Sequence, residues 1–103
     1  MCLVLLALDA VPGYPLVVAA NRDEYHDRPA DALHWWPDRP GVAGGRDAVA
    51  GGTWMAARRD GRFAAVLNAP GGPPPGAGSR GALVPRFLNA PDPAAGARAV
   101  QAA

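Results

Sequence analysis

One thiol and one dense polar cluster are the groups of this chain best suited to chemistry. The thiol is Cys2, the single cysteine. Methionine removal normally succeeds when the second residue is small, and Cys qualifies; it would leave a free α-amine on the residue that carries the thiol. That amine has a reference pKa of about 7.7–8.0, close enough to neutrality to act as a base. An N-terminal nucleophile that uses its own amine as base is an established catalytic arrangement. The plainer reading is a small apolar residue that begins a buried strand. The polar cluster is Asn21-Arg22-Asp23-Glu24. Asp23 could orient the amine, Arg22 could hold a thiolate or a substrate carboxylate, and Asn21 could donate to an oxyanion or, with Glu24, bind substrate. The plainer reading here is a strand leaving the core for solvent. Asn68 ends an apolar run before Ala-Pro-Gly-Gly, so it reads either as an oxyanion donor or as ordinary turn chemistry.

These groups need elements to bring them together. Cys2–Leu8 and Leu16–Ala20 are apolar runs separated by Val11-Pro12-Gly13-Tyr14-Pro15. Pro presets one central turn angle and Gly tolerates the positive φ that follows, so the pattern predicts a β-hairpin. A turn near Pro12-Gly13 makes paired residue numbers sum to about 25, give or take a bulge, and sets Cys2 opposite Arg22 or Asp23. Both strands are apolar at consecutive positions, as in sheets covered on two sides. A chain this short has few elements to provide that cover, so the pattern predicts one partial domain over residues 1–103 and an exposed apolar face through which it self-associates.

Downstream, Ala32–Trp36 reads as a short strand. Residues 37–52, with Gly-Gly twice, read as irregular. Thr53–Arg58 and Arg62–Asn68 read as strands joined at Arg59-Asp60-Gly61, because Asp-Gly is a strong hairpin signal. Residues 69–78 form a Pro/Gly loop. Ser79 is an expected N-cap for a helix over about 80–88 that contains Pro85. Asp92-Pro93 opens a second helix through Ala103, with no C-cap signal after it.

Composition narrows the function classes. Ten Lys+Arg (all Arg) against nine Asp+Glu give a net charge of +1, spread along the chain, which disfavours nucleic acid and anionic membranes as partners. One cysteine excludes an internal disulfide and a Cys-rich zinc site. His26 and His34 lack ligand spacing, so no metal and no cofactor are expected. The Gly-rich stretches match neither a P-loop nor a dinucleotide fingerprint. Trp35, Trp36 and Trp54 read as core rather than ligand shelf. The Leu3–Leu8 run has no basic residue ahead of it and is too short to span a bilayer, which points to a soluble, cytoplasmic protein with a small-molecule substrate or ligand.

Several of these segments in order resemble the NRDE family, which includes the eukaryotic Transport and Golgi Organisation proteins. They are Met1-Cys2-Leu3, Ala19-Ala20-Asn21-Arg22-Asp23-Glu24, Arg28-Pro29 followed by Trp35 or Trp36, Gly45-Arg46-Asp47, Gly51-Gly52-Thr53-Trp54, and Ser79-Arg80-Gly81 followed by Leu83. Family members are considerably longer, in keeping with a partial copy. The resemblance implies the N-terminal portion of an N-terminal-nucleophile (Ntn) hydrolase-like αββα sandwich, an α+β fold of mainly antiparallel strands followed by helices. A more distant resemblance, to the choloylglycine hydrolases, implies Asp23 as the amine-binding aspartate and Asn68 as the oxyanion asparagine. Their catalytic arginine falls at the position of Ala20, so Arg22 would have to act from a different place. The expected site is therefore Cys2, Arg22, Asp23 and Asn68 for catalysis, with Asn21 and Glu24 for binding. The competing functions are an amidohydrolase, a haem or lipid carrier, and a non-functional fragment.

Overall fold

The structure, a computed structural model, describes residues 3–68, 71–72, 75–76 and 78–102. Cys2 and the expected pairing of its thiol with residues 22–23 lie outside the described residues, as does part of the Pro/Gly loop.

The fold is α+β, with strands first and helices after. Strands β1 (Leu3–Val11) and β2 (Tyr14–Asn21) form an antiparallel two-stranded sheet. Leu3 pairs with Asn21 and Leu8 with Leu16, one residue from the expected register; a shift between Leu8 and Val11 absorbs the difference. Asp9 sits at that irregularity with φ 53°, and Gly13 turns the chain at φ 83°. The apolar side chains of this hairpin are largely uncovered: Leu8 is 70% exposed, and Leu5 and Leu6 are more than half exposed.

The second sheet is a meander of β3 (Ala30–Trp35), β4 (Val42–Asp47), β5 (Met55–Arg58) and β6 (Phe63–Ala65), antiparallel throughout. β4 is a correction, because it falls inside residues 37–52, where the glycines argued for irregular chain. Those glycines are what the strand needs. A Cβ on Gly44 would stand 2.7 Å from the Met55 carbonyl oxygen, and one on Gly45 would stand 2.6 Å from the Trp54 ring. The bare backbone lets β4 approach β5 and lets the Trp54 indole come up against it. The turn at Arg59-Asp60-Gly61 forms as expected, closed by Gly61 N–H donating to Arg58 O at 3.0 Å.

A 3-10 turn at Arg80–Ala82 leads into α1 (Leu83–Asn89), so the expected single helix is divided, and the Ser79 side chain caps nothing. Pro85 is the third residue of α1, where the backbone amide has no intrahelical partner to lose, so it needs no kink. α2 (Pro93–Gln101) starts as expected: Asp92 accepts the Ala95 amide at 2.8 Å, with Pro93 at the first position. Gly96 lets α2 approach α1, since a Cβ there would meet the Phe87 carbonyl oxygen at 2.7 Å.

Trp36, Val42, Ala56, Val84 and Leu88 make the core, between the four-stranded sheet and α1. Trp36 is 2% exposed, and its indole N–H donates to the Gly44 carbonyl at 3.1 Å. Trp35 departs from the expected core role: it is 55% exposed, with the Arg59 guanidinium stacked 4.0 Å from its ring centre. Arg58 and Arg62 tie the sheet to α1 by donating to the Leu88 and Ala90 carbonyls, each at 2.6 Å. Those carbonyls lie where a helix end has no intrahelical donors. Among the described residues, no helix is long and apolar enough to cross a membrane.

Candidate functional site

The end of β2 and the segment after β6 converge on one cavity of about 370 Å³. Arg22, Asp23 and Glu24 enter it as the chain leaves β2, and Asn68 enters three residues past β6. Four of the six expected site residues therefore share one space. Asn21, the last residue of β2, instead lines a much smaller apolar crevice with Val4 and Leu67. Arg22, Trp54 and Val66 border both spaces.

Arg22 reaches the cavity from its own place on the chain. Ala20 faces Val4 across the hairpin. Two residues on, the Arg22 guanidinium lies 3.9 Å from the centre of the Trp54 ring and 3.8 Å from Glu24. Stacking on the indole face holds the planar cation while leaving its N–H edges available. Glu24 bridges two cations, since Arg28 lies 4.0 Å from the same carboxylate, and it accepts the Tyr25 amide at 2.9 Å. The acid expected to bind substrate thus also braces the arginines.

The rest of the wall comes from residues that site reasoning on the sequence passed over. Arg28 donates to Asp47 at 2.6 Å. That hydrogen bond is the main reason the Asp47 carboxyl is held below the usual carboxylate range, and the carboxylate raises the arginine's pKa in turn. Thr53, 1% exposed, donates its hydroxyl to the Gly45 carbonyl at 2.7 Å, and its amide donates to Gly81 at 3.1 Å. Trp54 lies against Gly45. Ser79, Arg80 and Gly81 also line the cavity. Arg46 stays outside the lining. It stacks over Trp36 at 4.3 Å, grips Asp38 with two hydrogen bonds of 2.6 and 2.9 Å, and donates to Gly51 at 3.0 Å. It anchors the loop that carries Thr53. The family resemblance is the signal that points to them: it is carried by the segments around Arg28, Asp47, Thr53-Trp54 and Ser79-Arg80, which meet here.

A sequence profile of the family described as Transport and Golgi organisation 2 matches residues 1–102. The chain belongs to this family. It is 34% identical over 96 residues to the Transport and Golgi organization 2 homolog of Mus musculus, covering 85% of this chain and 35% of that protein. It is 34% identical over 102 residues to the Transport and Golgi organization protein 2 of Drosophila melanogaster, covering 89% of this chain and 36% of the relative. The Bos taurus homolog is 37% identical over 75 residues, covering 66% of this chain and 27% of its own length. The chain thus spans about a third of the length of the curated relatives it matches. No solved structure matches it. Within the Transport and Golgi organisation 2 family, this chain gathers Arg22-Asp23-Glu24, Asp47, Thr53-Trp54 and Ser79-Arg80-Gly81 around one cavity.

Proposed function

We propose that this chain carries the nucleophile end of an Ntn-type amidohydrolase site. Cys2, freed of Met1, attacks an amide carbonyl. Its own α-amine takes the thiol proton and passes it to the leaving amine as the C–N bond breaks. Water then hydrolyses the thioester, releasing the acid and regenerating the thiol. Asp23 orients the amine, Arg22 stabilises the thiolate and Asn68 donates to the oxyanion. The observation that carries this reading is the convergence of Arg22 and Asp23, from the end of one sheet, with Asn68, from the end of the other, on one cavity. Its size falls in the range of small-molecule pockets, and its wall is rich in charge.

A carrier of an apolar ligand is the second reading, favoured by the uncovered leucines of β1. The charged cavity supports the hydrolase instead, because a haem or lipid tail would strand those ions away from water. Intact mass followed by brief iodoacetamide treatment near neutral pH tests the proposal. The expected result is a chain lacking Met1 whose Cys2 labels faster than an ordinary thiol, slowed by Asp23→Ala or Arg22→Ala. Retained Met1, or labelling indifferent to both changes, sinks the mechanism and leaves the carrier.

A further inference from the structure

The charges around the cavity are mostly spoken for. Asp47 accepts Arg28 and the Val49 amide, Glu24 sits between Arg22 and Arg28, and Asp23 is engaged as well. Arg80 differs. Its side chain lines the cavity in an exposed position, and among the described residues its guanidinium has neither a hydrogen bond nor an ion pair. Its backbone, by contrast, is tightly located. Thr53 N–H donates to the Gly81 carbonyl at 3.1 Å, and a Cβ on Gly52 would stand 2.6 Å from that same carbonyl group. Two backbones therefore pack together with no side chain between them, and the residue beside that contact is Arg80. Ser79, which also lines the cavity, has a hydroxyl that caps no helix.

We infer that Arg80, with the Ser79 hydroxyl beside it, binds an anionic oxygen group of the ligand, and that this group is a carboxylate. A guanidinium matches a carboxylate with two parallel N–H···O bonds, and the backbone beside Arg80 is already held by the Thr53–Gly81 hydrogen bond. The acids of the cavity do not oppose the anion, because each already faces a cation or another partner. The inference rests on reading this cavity as the substrate site, and it narrows the substrate to an amide that also bears a carboxylate.

Calorimetric titration of the full 103-residue chain tests it, with N-acetylglycine, neutral N-acetylglycinamide and inorganic phosphate as probes. N-acetylglycine should bind, and Arg80→Gln should weaken it by roughly ten- to a hundredfold, the loss expected for a hydrogen bond to a charged group. N-acetylglycinamide should bind more weakly and be indifferent to Arg80→Gln. Raising salt should weaken the carboxylate probe alone. Circular dichroism of the variant should match the parent, because Arg80 is exposed and supports no packing. Absence of N-acetylglycine binding, or equal affinity in Arg80→Gln, overturns the inference. Tighter binding of phosphate that is lost in the variant overturns the carboxylate assignment. Cys2 labelling reads the hydrolase mechanism separately: slow labelling beside Arg80-dependent binding rejects the mechanism and keeps the anion site.

Discussion

In β1, leucines at positions 5, 6 and 8 are each more than half exposed, whereas in β4 a strand of Val-Ala-Gly-Gly-Arg-Asp has Val42 and Gly44 buried. The more hydrophobic strand is the wetter one. The difference lies in what each strand finds to pack against. β4 has β3 and β5 as neighbours, a tryptophan against Gly45, and α1 closing the core to which Val42 belongs. β1 has β2 alone. Burial here follows from neighbours, and neighbours are a property of topology that a strand's own composition does not carry.

That contrast breaks most visibly in paired truncations. Trp36→Ala removes a nearly inaccessible indole, its hydrogen bond to Gly44 and the surface on which Arg46 stacks. It should cost about 3–5 kcal/mol. Against a typical total of about 5–15 kcal/mol, that leaves little of the folded state. Leu6→Ala, in the hairpin, should change stability by less than about 0.5 kcal/mol. Chemical denaturation of both variants decides it. Equal losses would mean that the hairpin is packed in solution against something, and the contrast would fall.

The hairpin should instead show itself in association. Its exposed leucines make an apolar surface of a kind that monomers rarely leave open. Leu5→Glu and Leu8→Glu together should shift the chain toward monomer in sedimentation at matched concentration, with the unfolding midpoint of the packed half unchanged. A parent chain that is already monomeric at high concentration refutes this.

Between these extremes lie the polar ties of the packed half. Arg62 is 8% exposed and donates to both Asp60 and the Ala90 carbonyl. Replacing it with Met keeps much of the aliphatic stem and strands a helix-end carbonyl. The expected loss is about 1.5–3 kcal/mol, the range for hydrogen bonds to charged groups. A change below about 0.5 kcal/mol would mean that water replaces the tie at no cost.

The sequence announced the elements whose signals are local. The Pro12-Gly13 and Asp60-Gly61 turns and the Asp92 cap are set by the conformations those residues allow, and each sits where it was read. β4 was not legible, because Gly44 and Gly45 act through their lack of side chain toward Met55 and Trp54, residues eleven and nine positions away. The site was half legible. Arg22, Asp23, Glu24 and Asn68 announce themselves as polar groups at strand ends, and they meet in one cavity. Arg28 gains its place from Asp47, nineteen positions on, and Thr53 and Arg80 gain theirs when the Gly52–Gly81 contact brings two remote loops together; nothing in either loop alone encodes that contact.

The smallest effect expected is a pH dependence, and it too belongs to the packed half. The bidentate grip of Arg46 holds the Asp38 carboxyl down to about 2, and the hydrogen bond from Arg28 lowers that of Asp47. A carboxyl whose pKa is lower folded than unfolded binds fewer protons in the native state. Stability therefore rises with pH through the window between the two values. For Asp38 the contribution is complete above the ordinary carboxylate value near 4, declines as pH falls, and is gone below about 2. Asp38 is more than half exposed, so solvent and salt screen the pair and the slope should be shallow. Denaturation midpoints measured from pH 5 to pH 2 should fall less steeply in Asp38→Asn than in the parent, and the two curves should meet at the acid end. Parallel curves would mean that Arg46 is held by its stacking on Trp36 and its bond to Gly51, with the carboxylate adding nothing.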